Sequence, residues 1–194
     1  SNEETMRNYP YEFLLELGYE LKENTVIVKW KVSNPASGDL YFSIGGHPAF
    51  RCPIQDDTKQ TDYRIRFDAK EKITATVIRD GLASDVKEDY LLEDGCLRIT
   101  EHLFDRDALV IEEHQAHETA FVKPDGSTYL TVCFDAPLFG IWSPVGKNAP
   151  FICIEPWYGR CDSHDFEGTW EERKWGQHLA AGESFEASYR IIFS

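Results

Sequence analysis

Two stretches of this sequence hold side chains that could exchange protons. His47 lies in the stretch SIGGHPAF, residues 43–50, between a glycine pair and a proline. Glu155 ends the apolar run of the stretch ICIEPWYGR, residues 152–160, directly before a second proline. An imidazole exchanges protons near neutral pH, and burial at a strand end raises the pKa of a carboxyl toward the range that suits a general base. These two residues could therefore work together as an acid and a base.

Each of the two residues also has a plainer interpretation. His47 could cap a strand end by hydrogen bonding, and Glu155 could be solvated or paired with Arg160, because structural ion pairs perturb carboxyls as well. Aromatic residues lie close to both in sequence, namely Phe50, Trp142, Trp157 and Tyr158. Aromatic faces beside a polar pair suit a pyranose ring, which has an apolar face and hydroxyl edges, although most buried aromatics only pack a core.

Two further groups of polar residues are candidate sites. His114 and His117 stand among glutamates in EEHQAHE, residues 112–118. Their H-x-x-H spacing lacks the i, i+4 arrangement of a helical zinc pair, so we expect no metal there. In LFDRDAL, either Asp105 or Asp107 could accept a hydrogen bond from a sugar hydroxyl, or the two could form an ordinary turn.

The five cysteines are scattered and never spaced as C-x-x-C. Cys133 and Cys153 lie inside apolar runs and are interpreted as small core residues. A reducing cytoplasm is the simplest setting for such thiols. Glycine motifs that bind nucleotides and the G-x-S-x-G motif of hydrolases are absent from the sequence.

Apolar residues that alternate with polar ones dominate the chain and predict strands. Residues 13–21 and 26–32 form one predicted hairpin around the turn KENT. Further strands are predicted at 40–45, 63–67, 73–78, 109–112, 119–123, 128–134, 138–142, 151–155 and 185–193. Short helices are predicted only near 86–91 and 168–176. This pattern predicts an all-β, mostly antiparallel sandwich or barrel that forms a single domain over residues 1–194.

Composition excludes several classes of function. Thirty-four acidic and 20 basic residues give a net charge of −14, which disfavours binding to nucleic acid or to an anionic membrane. The sequence has no apolar run of about 18 residues, so we expect no membrane span. A neutral small molecule is the partner that this charge favours.

With GGHPAF and ICIEPWYGR together, the chain resembles the aldose 1-epimerase (galactose mutarotase) superfamily, and its LacX-type branch in particular. YPYEFLLELGYEL, LFDRDAL and the closing strand extend the resemblance over the whole length. It implies an antiparallel β-supersandwich and a cofactor-independent enzyme that interconverts the α and β anomers of a hexose. It also implies that Glu155 is the base on the anomeric hydroxyl, that His47 is the acid on the ring oxygen, that Asp107 binds substrate and that Trp157 lines the groove.

The resemblance also has a departure. Family members carry an N-terminal portion before YPYEF, with an arginine and a histidine that help to form the site, and this chain begins about where that portion ends. We therefore expect an N-terminally shortened sandwich with exposed sheet edges, which pair with a second copy of the chain in a homo-oligomer. The alternative function is a non-catalytic carbohydrate-binding or regulatory module on the same scaffold.

Overall fold

Two antiparallel sheets of seven strands each pack against one another in the computed structural model, which describes residues 1–147 and 149–194. The first sheet has the strand order β1 (Leu14–Lys22), β2 (Thr25–Ser33), β16 (Ser184–Phe193), β12 (Thr128–Phe134), β11 (Glu118–Val122), β6 (Arg64–Phe67) and β9 (Cys96–Arg98). The second has the order β4 (Ile44–Gly45), β14 (Phe151–Tyr158), β13 (Leu138–Trp142), β10 (Leu109–Glu112), β7 (Lys72–Arg79) and β8 (Leu82–Leu91). Its seventh strand, β5 (Ala49–Arg51), pairs with β14 beyond the end of β4.

The remaining elements are small. A two-stranded sheet joins β3 (Leu40–Phe42) to β15 (Gln177–Leu179). A short α-helix, α1 (Glu3–Asn8), precedes the first strand, and 3₁₀ turns cover Gln60–Asp62 and Trp170–Glu172. Among the described residues, no helix is both long and apolar enough to cross a membrane.

The core lies between the inner faces of the two sheets. Strand alternation sends every second side chain inward, and the fully buried residues come from both sheets, including Ile65, Leu130, Ile152 and Ile154. A smaller apolar cluster of Val32, Leu40, Phe42 and Leu179 joins the two-stranded sheet to β2.

Most predicted strands are confirmed. The first hairpin closes at Lys22 and Thr25, and β10, β12 and β13 have the predicted bounds. The predicted strand at 40–45 is divided into β3 and β4. The short strands β5, β9 and β15 have no counterpart among the predictions, because three residues are too few to display a period.

The two predicted helices are corrected. Residues 86–91 belong to β8, which pairs along its length with β7 and alternates between half-buried and exposed side chains. Charged residues on both faces of this edge strand conceal its period of two. In 168–176 only Trp170–Glu172 forms a 3₁₀ turn.

The first sheet has an exposed edge at β1, as predicted. The side chains that pair with the core-facing residues of β2 are apolar yet largely exposed, namely Leu15 (41%), Leu17 (56%), Tyr19 (73%) and Leu21 (78%). An edge strand with an uncovered apolar row is prone to pair with another chain.

Candidate functional site

Backbone pairing brings His47 next to Glu155. The Gly46 amide donates a hydrogen bond to the Pro156 carbonyl (3.0 Å), and the Ile154 amide donates one to the Pro48 carbonyl (3.3 Å). The residues on either side of the histidine are thus bonded to the residues on either side of the glutamate. The short connection between β4 and β5 therefore holds the imidazole over the middle of β14.

Alternation along β14 decides which side chains share the face of the site. Ile152 and Ile154 point into the core, so Cys153, Glu155 and Trp157 point to the opposite, outer face of the second sheet. Both prolines noted in the sequence, one after His47 and one after Glu155, lie at this junction of strands.

The acid–base pair combines an exposed imidazole with a buried carboxylate. His47 Nδ1 lies 3.4 Å from Glu155 Oε1, and the exposed fractions of the two side chains are 62% and 4%. The ring of Trp142 meets the imidazole edge-on, with 5.6 Å between centroids and an interplanar angle of 90°. A ligand on this face can therefore reach the imidazole, while the carboxylate stays largely shielded from water.

The pKa of Glu155 is raised to about 7, mainly by burial; a hydrogen bond from the Trp157 side chain lowers it, and the negative charge of Asp107 contributes to the rise. Near neutral pH this carboxyl exists in comparable amounts with and without its proton. That is the condition in which a carboxyl serves as a general base and returns the proton afterwards.

Trp157 lies flat against two glycines. A Cβ atom on Gly140 would stand 2.6 Å from two of its ring carbons, and one on Gly45 would stand 2.5 Å from Cδ1. Gly140 lies on the neighbouring strand β13, where it pairs with Glu155, and Gly45 lies on β4, where it pairs with Trp157. The absence of side chains at both positions lets the half-buried indole lie along the sheet beside the carboxylate, where it forms part of the wall of the site.

The structure separates the two aspartates of LFDRDAL. The Asp105 carboxylate accepts a hydrogen bond from His102 Nδ1 at 2.9 Å. Asp107 lies two residues before the start of β10, adopts a positive φ of 74° and contributes charge to the surroundings of Glu155. Only Asp107 therefore belongs to the neighbourhood of the acid–base pair.

A second buried glutamate on the same outer face behaves in the opposite way. Glu112 is also shielded from water, but hydrogen bonds from Lys87, Thr76, Arg160 and Trp175 outweigh the effect of burial and hold its pKa far below its usual value. Arg160, the sequence's alternative partner for Glu155, is thus bound to Glu112. Glu112 anchors the segment that follows β14 to the sheet, whereas Glu155 keeps a labile proton.

The family model described as aldose 1-epimerase matches residues 1–191. The chain belongs to the aldose 1-epimerase family. Two curated relatives, the plasmid and chromosomal forms of Protein LacX from Lactococcus lactis subsp. lactis, are each 27% identical over 195 aligned positions. These alignments include 98% of this chain but only 65% of each relative, so the chain spans less than two thirds of the length of the curated relatives that it matches.

Solved structures agree with this family assignment. The galactose mutarotase related enzyme from Lactobacillus acidophilus superimposes with a TM-score of 0.91 at 27% identity, over all of this chain and 65% of that one. A galactose mutarotase-like protein from Lactobacillus casei gives a TM-score of 0.88 at 25% identity, over all of this chain and 67% of that one. The galactose mutarotase-like sandwich predicted from the sequence is confirmed.

Within this family fold, the four residues singled out from the sequence have definite places. His47, Glu155 and Trp157 meet on the outer face of the second sheet, and Asp107 acts on Glu155 through its charge. Of the other aromatics, Phe50 and Tyr158 pack in or against the core, and Trp142 contacts His47. The rings of His114 and His117 lie beside one another, with 5.5 Å between centroids and an interplanar angle of 32°.

Cys153 is the site residue that the sequence analysis missed. It is 1% exposed, as a core residue would be, but it lies on the face of Glu155 rather than on the core face. Burial raises the pKa of its thiol to about 12. The sequence could have indicated this placement, because Cys153 lies two residues before Glu155 and residues two apart on a strand share a face. Cys133, also interpreted as a core residue, is only half-buried.

Proposed function

We propose that this chain is a cofactor-independent aldose 1-epimerase that interconverts the α and β anomers of a hexose through acid–base opening of the hemiacetal ring. The observation that carries the proposal is the 3.4 Å contact between an exposed imidazole and a buried carboxylate. Family membership supports the same class of reaction. The aromatic wall formed by Trp157 suits the apolar face of a pyranose.

The proposed reaction needs two proton transfers in each direction. The Glu155 carboxylate takes the proton from the anomeric hydroxyl, the C1 carbonyl forms, and the bond between C1 and the ring oxygen breaks. Protonated His47 gives its proton to the departing ring oxygen, which becomes a hydroxyl. The open aldehyde rotates about the C1–C2 bond and presents its other face.

Ring closure returns each proton to its source. Neutral His47 removes the proton from the hydroxyl as its oxygen attacks C1, and protonated Glu155 gives its proton to the carbonyl oxygen. The other anomer results, and both side chains are back in their starting states. We assign to Asp107 the binding of a sugar hydroxyl and to Trp157 the wall of the groove.

Polarimetry of freshly dissolved α-galactose and α-glucose tests the proposal. The protein should speed the approach to the equilibrium rotation above the buffer rate, and His47→Ala and Glu155→Gln should each lower kcat by about 10²- to 10⁴-fold. Glu101→Gln is the matched control, since Glu101 is an exposed glutamate outside the site, and it should leave the rate unchanged.

Two results would contradict the proposed enzyme. Absence of catalysis with sugar still bound, and with Glu155→Gln altering only the affinity, would identify a carbohydrate-binding module. Absence of both catalysis and binding would show that this site does not act on hexoses. The same assay with both sugars gives their kcat/KM ratio, and thereby the preference between galactose and glucose.

A further inference from the structure

A thiol lies beside the acid–base pair and has no part in the proposed reaction. Cys153 precedes Glu155 by two residues on β14 and shares its face. One ligand atom each from His47, Cys153 and Glu155 lie within 4.8 Å of one another. Among residues 1–147 and 149–194, this is the one group of three or more histidine, cysteine and acidic side chains whose ligand atoms come this close together.

The three atoms are of the types that zinc binds, and they converge within 4.8 Å of one another. Zinc binds cysteine sulfur at about 2.3 Å and histidine nitrogen or carboxylate oxygen at about 2.0–2.2 Å, in a tetrahedron. Two ligand atoms on such a tetrahedron stand about 3.3–3.7 Å apart, which follows from those bond lengths. The observed separation of 3.4 Å between His47 Nδ1 and Glu155 Oε1 falls within this range.

The surroundings favour a thiophilic cation with one open position. Cys153 and Glu155 are buried while His47 is exposed, so a fourth ligand can come only from the solvent side. The charge of Asp107 and the net charge of −14 attract cations. Loss of the thiol proton from a buried position costs free energy, which selects ions with a strong preference for sulfur over magnesium or calcium.

We propose that His47, Cys153 and Glu155 form an inhibitory site for zinc. In binding, the Cys153 thiol releases its proton to solvent and the thiolate sulfur becomes a ligand together with the imidazole nitrogen and the carboxylate oxygen. Both groups assigned to proton transfer are then occupied by the metal. The inhibitory effect rests on the proposed function, whereas binding of the metal does not.

Cobalt substitution tests binding without any need for activity. Titration of the protein with Co²⁺ should produce a thiolate-to-cobalt charge-transfer band that saturates at one equivalent and is removed by Zn²⁺. Cys153→Ser should abolish the band. Cys161→Ser, which removes a half-buried thiol elsewhere, should leave the band intact. His47→Ala should weaken cobalt binding by at least about tenfold, since even partners of metal ligands contribute that much.

Anomer exchange in the presence of zinc tests inhibition. Zinc should inhibit the wild-type protein, and a chelator should restore its rate. Relative to its own rate without zinc, Cys153→Ser should need at least about tenfold more zinc than the wild type for half-inhibition. If Cys153→Ser fails to fold, the exposed His47→Ala variant still tests the site through cobalt affinity.

The possible failures are distinguishable. If the wild-type protein exchanges anomers but shows no charge-transfer band, the zinc site is wrong and the enzyme proposal stands. If the band appears but no exchange is catalysed, the proposed function fails and the site stands. Equal zinc sensitivity of wild type and Cys153→Ser would overturn the inhibitory site.

Discussion

Replacing Glu155 with glutamine should change how the stability of this protein depends on pH. The carboxyl has a pKa of about 7 in the folded protein, against 4.5 for an ordinary glutamate. The folded state therefore holds this proton more tightly than the unfolded state does. Below about pH 4.5 the carboxyl is protonated in both the folded and the unfolded state, so its shifted pKa does not change the free energy of unfolding.

The destabilisation that follows from the raised pKa of Glu155 appears as the pH rises. Between about pH 4.5 and 7 the unfolded chain ionises first, so the free energy of unfolding falls, and above pH 7 the full cost is present. At about 1.4 kcal/mol per pKa unit, the destabilisation is about 1 kcal/mol at pH 5.5 and about 3 kcal/mol at pH 8.5. Glutamine cannot ionise and is free of this pH-dependent cost.

Urea unfolding of the wild type and Glu155→Gln at about pH 5.5 and pH 8.5 measures the effect. The stability of the variant relative to the wild type should increase by about 2 kcal/mol from the lower to the higher pH. This difference between two pH values cancels any constant cost of burying an amide. Glu101→Gln, at an exposed position, should show no such change. An equal stability difference at both pH values for Glu155→Gln would refute the raised pKa.

Three further predictions concern the groove and the sheet edge. Asp107→Asn removes a charge that raises the pKa of the buried carboxyl, so the rising limb of the pH–rate profile should move to lower pH; an unmoved limb would argue against this coupling. Gly140→Ala places a methyl group 2.6 Å from ring carbons of Trp157 and should raise KM severalfold, whereas Gly38→Ala, with open space around it, should not; equal KM values would exclude Trp157 from the groove. β1 should pair with β1 of a second copy, so sedimentation should show concentration-dependent dimers that Tyr19→Lys weakens, and a clean monomer at high concentration would count against this pairing.

The fold was largely predictable because alternation survives wherever one face of a strand is buried. β2 and β12 show this alternation of burial, whereas β10 and β13 are short apolar runs that are buried on both faces. β8 concealed it, because an edge strand with charged residues on both faces offers little contrast. The three-residue strands β5, β9 and β15 depend on pairing with strands far away in the sequence, and a local sequence pattern does not show that pairing.

The site was predictable in its parts but not in its geometry. Residue types and the family resemblance pointed to His47 and Glu155, yet their contact depends on the bonds from Gly46 and Pro48 to β14, which join positions about a hundred residues apart. The role of Arg160 could not be read from its nearness in sequence, because its partner Glu112 lies on β10. Cys153 was assigned to the core because it lies in an apolar run, and a strand that is buried on both faces does not show from its residue types which side chains face the core.

The most direct test of the account is the rate of anomer exchange at equilibrium, measured by saturation-transfer NMR between the α and β resonances of galactose and of glucose. We expect exchange above the buffer rate for the wild type with at least one of these sugars, and a return to nearly the buffer rate for both His47→Ala and Glu155→Gln. Wild-type exchange that persists in either variant would contradict the central claim that these two side chains carry the two proton transfers.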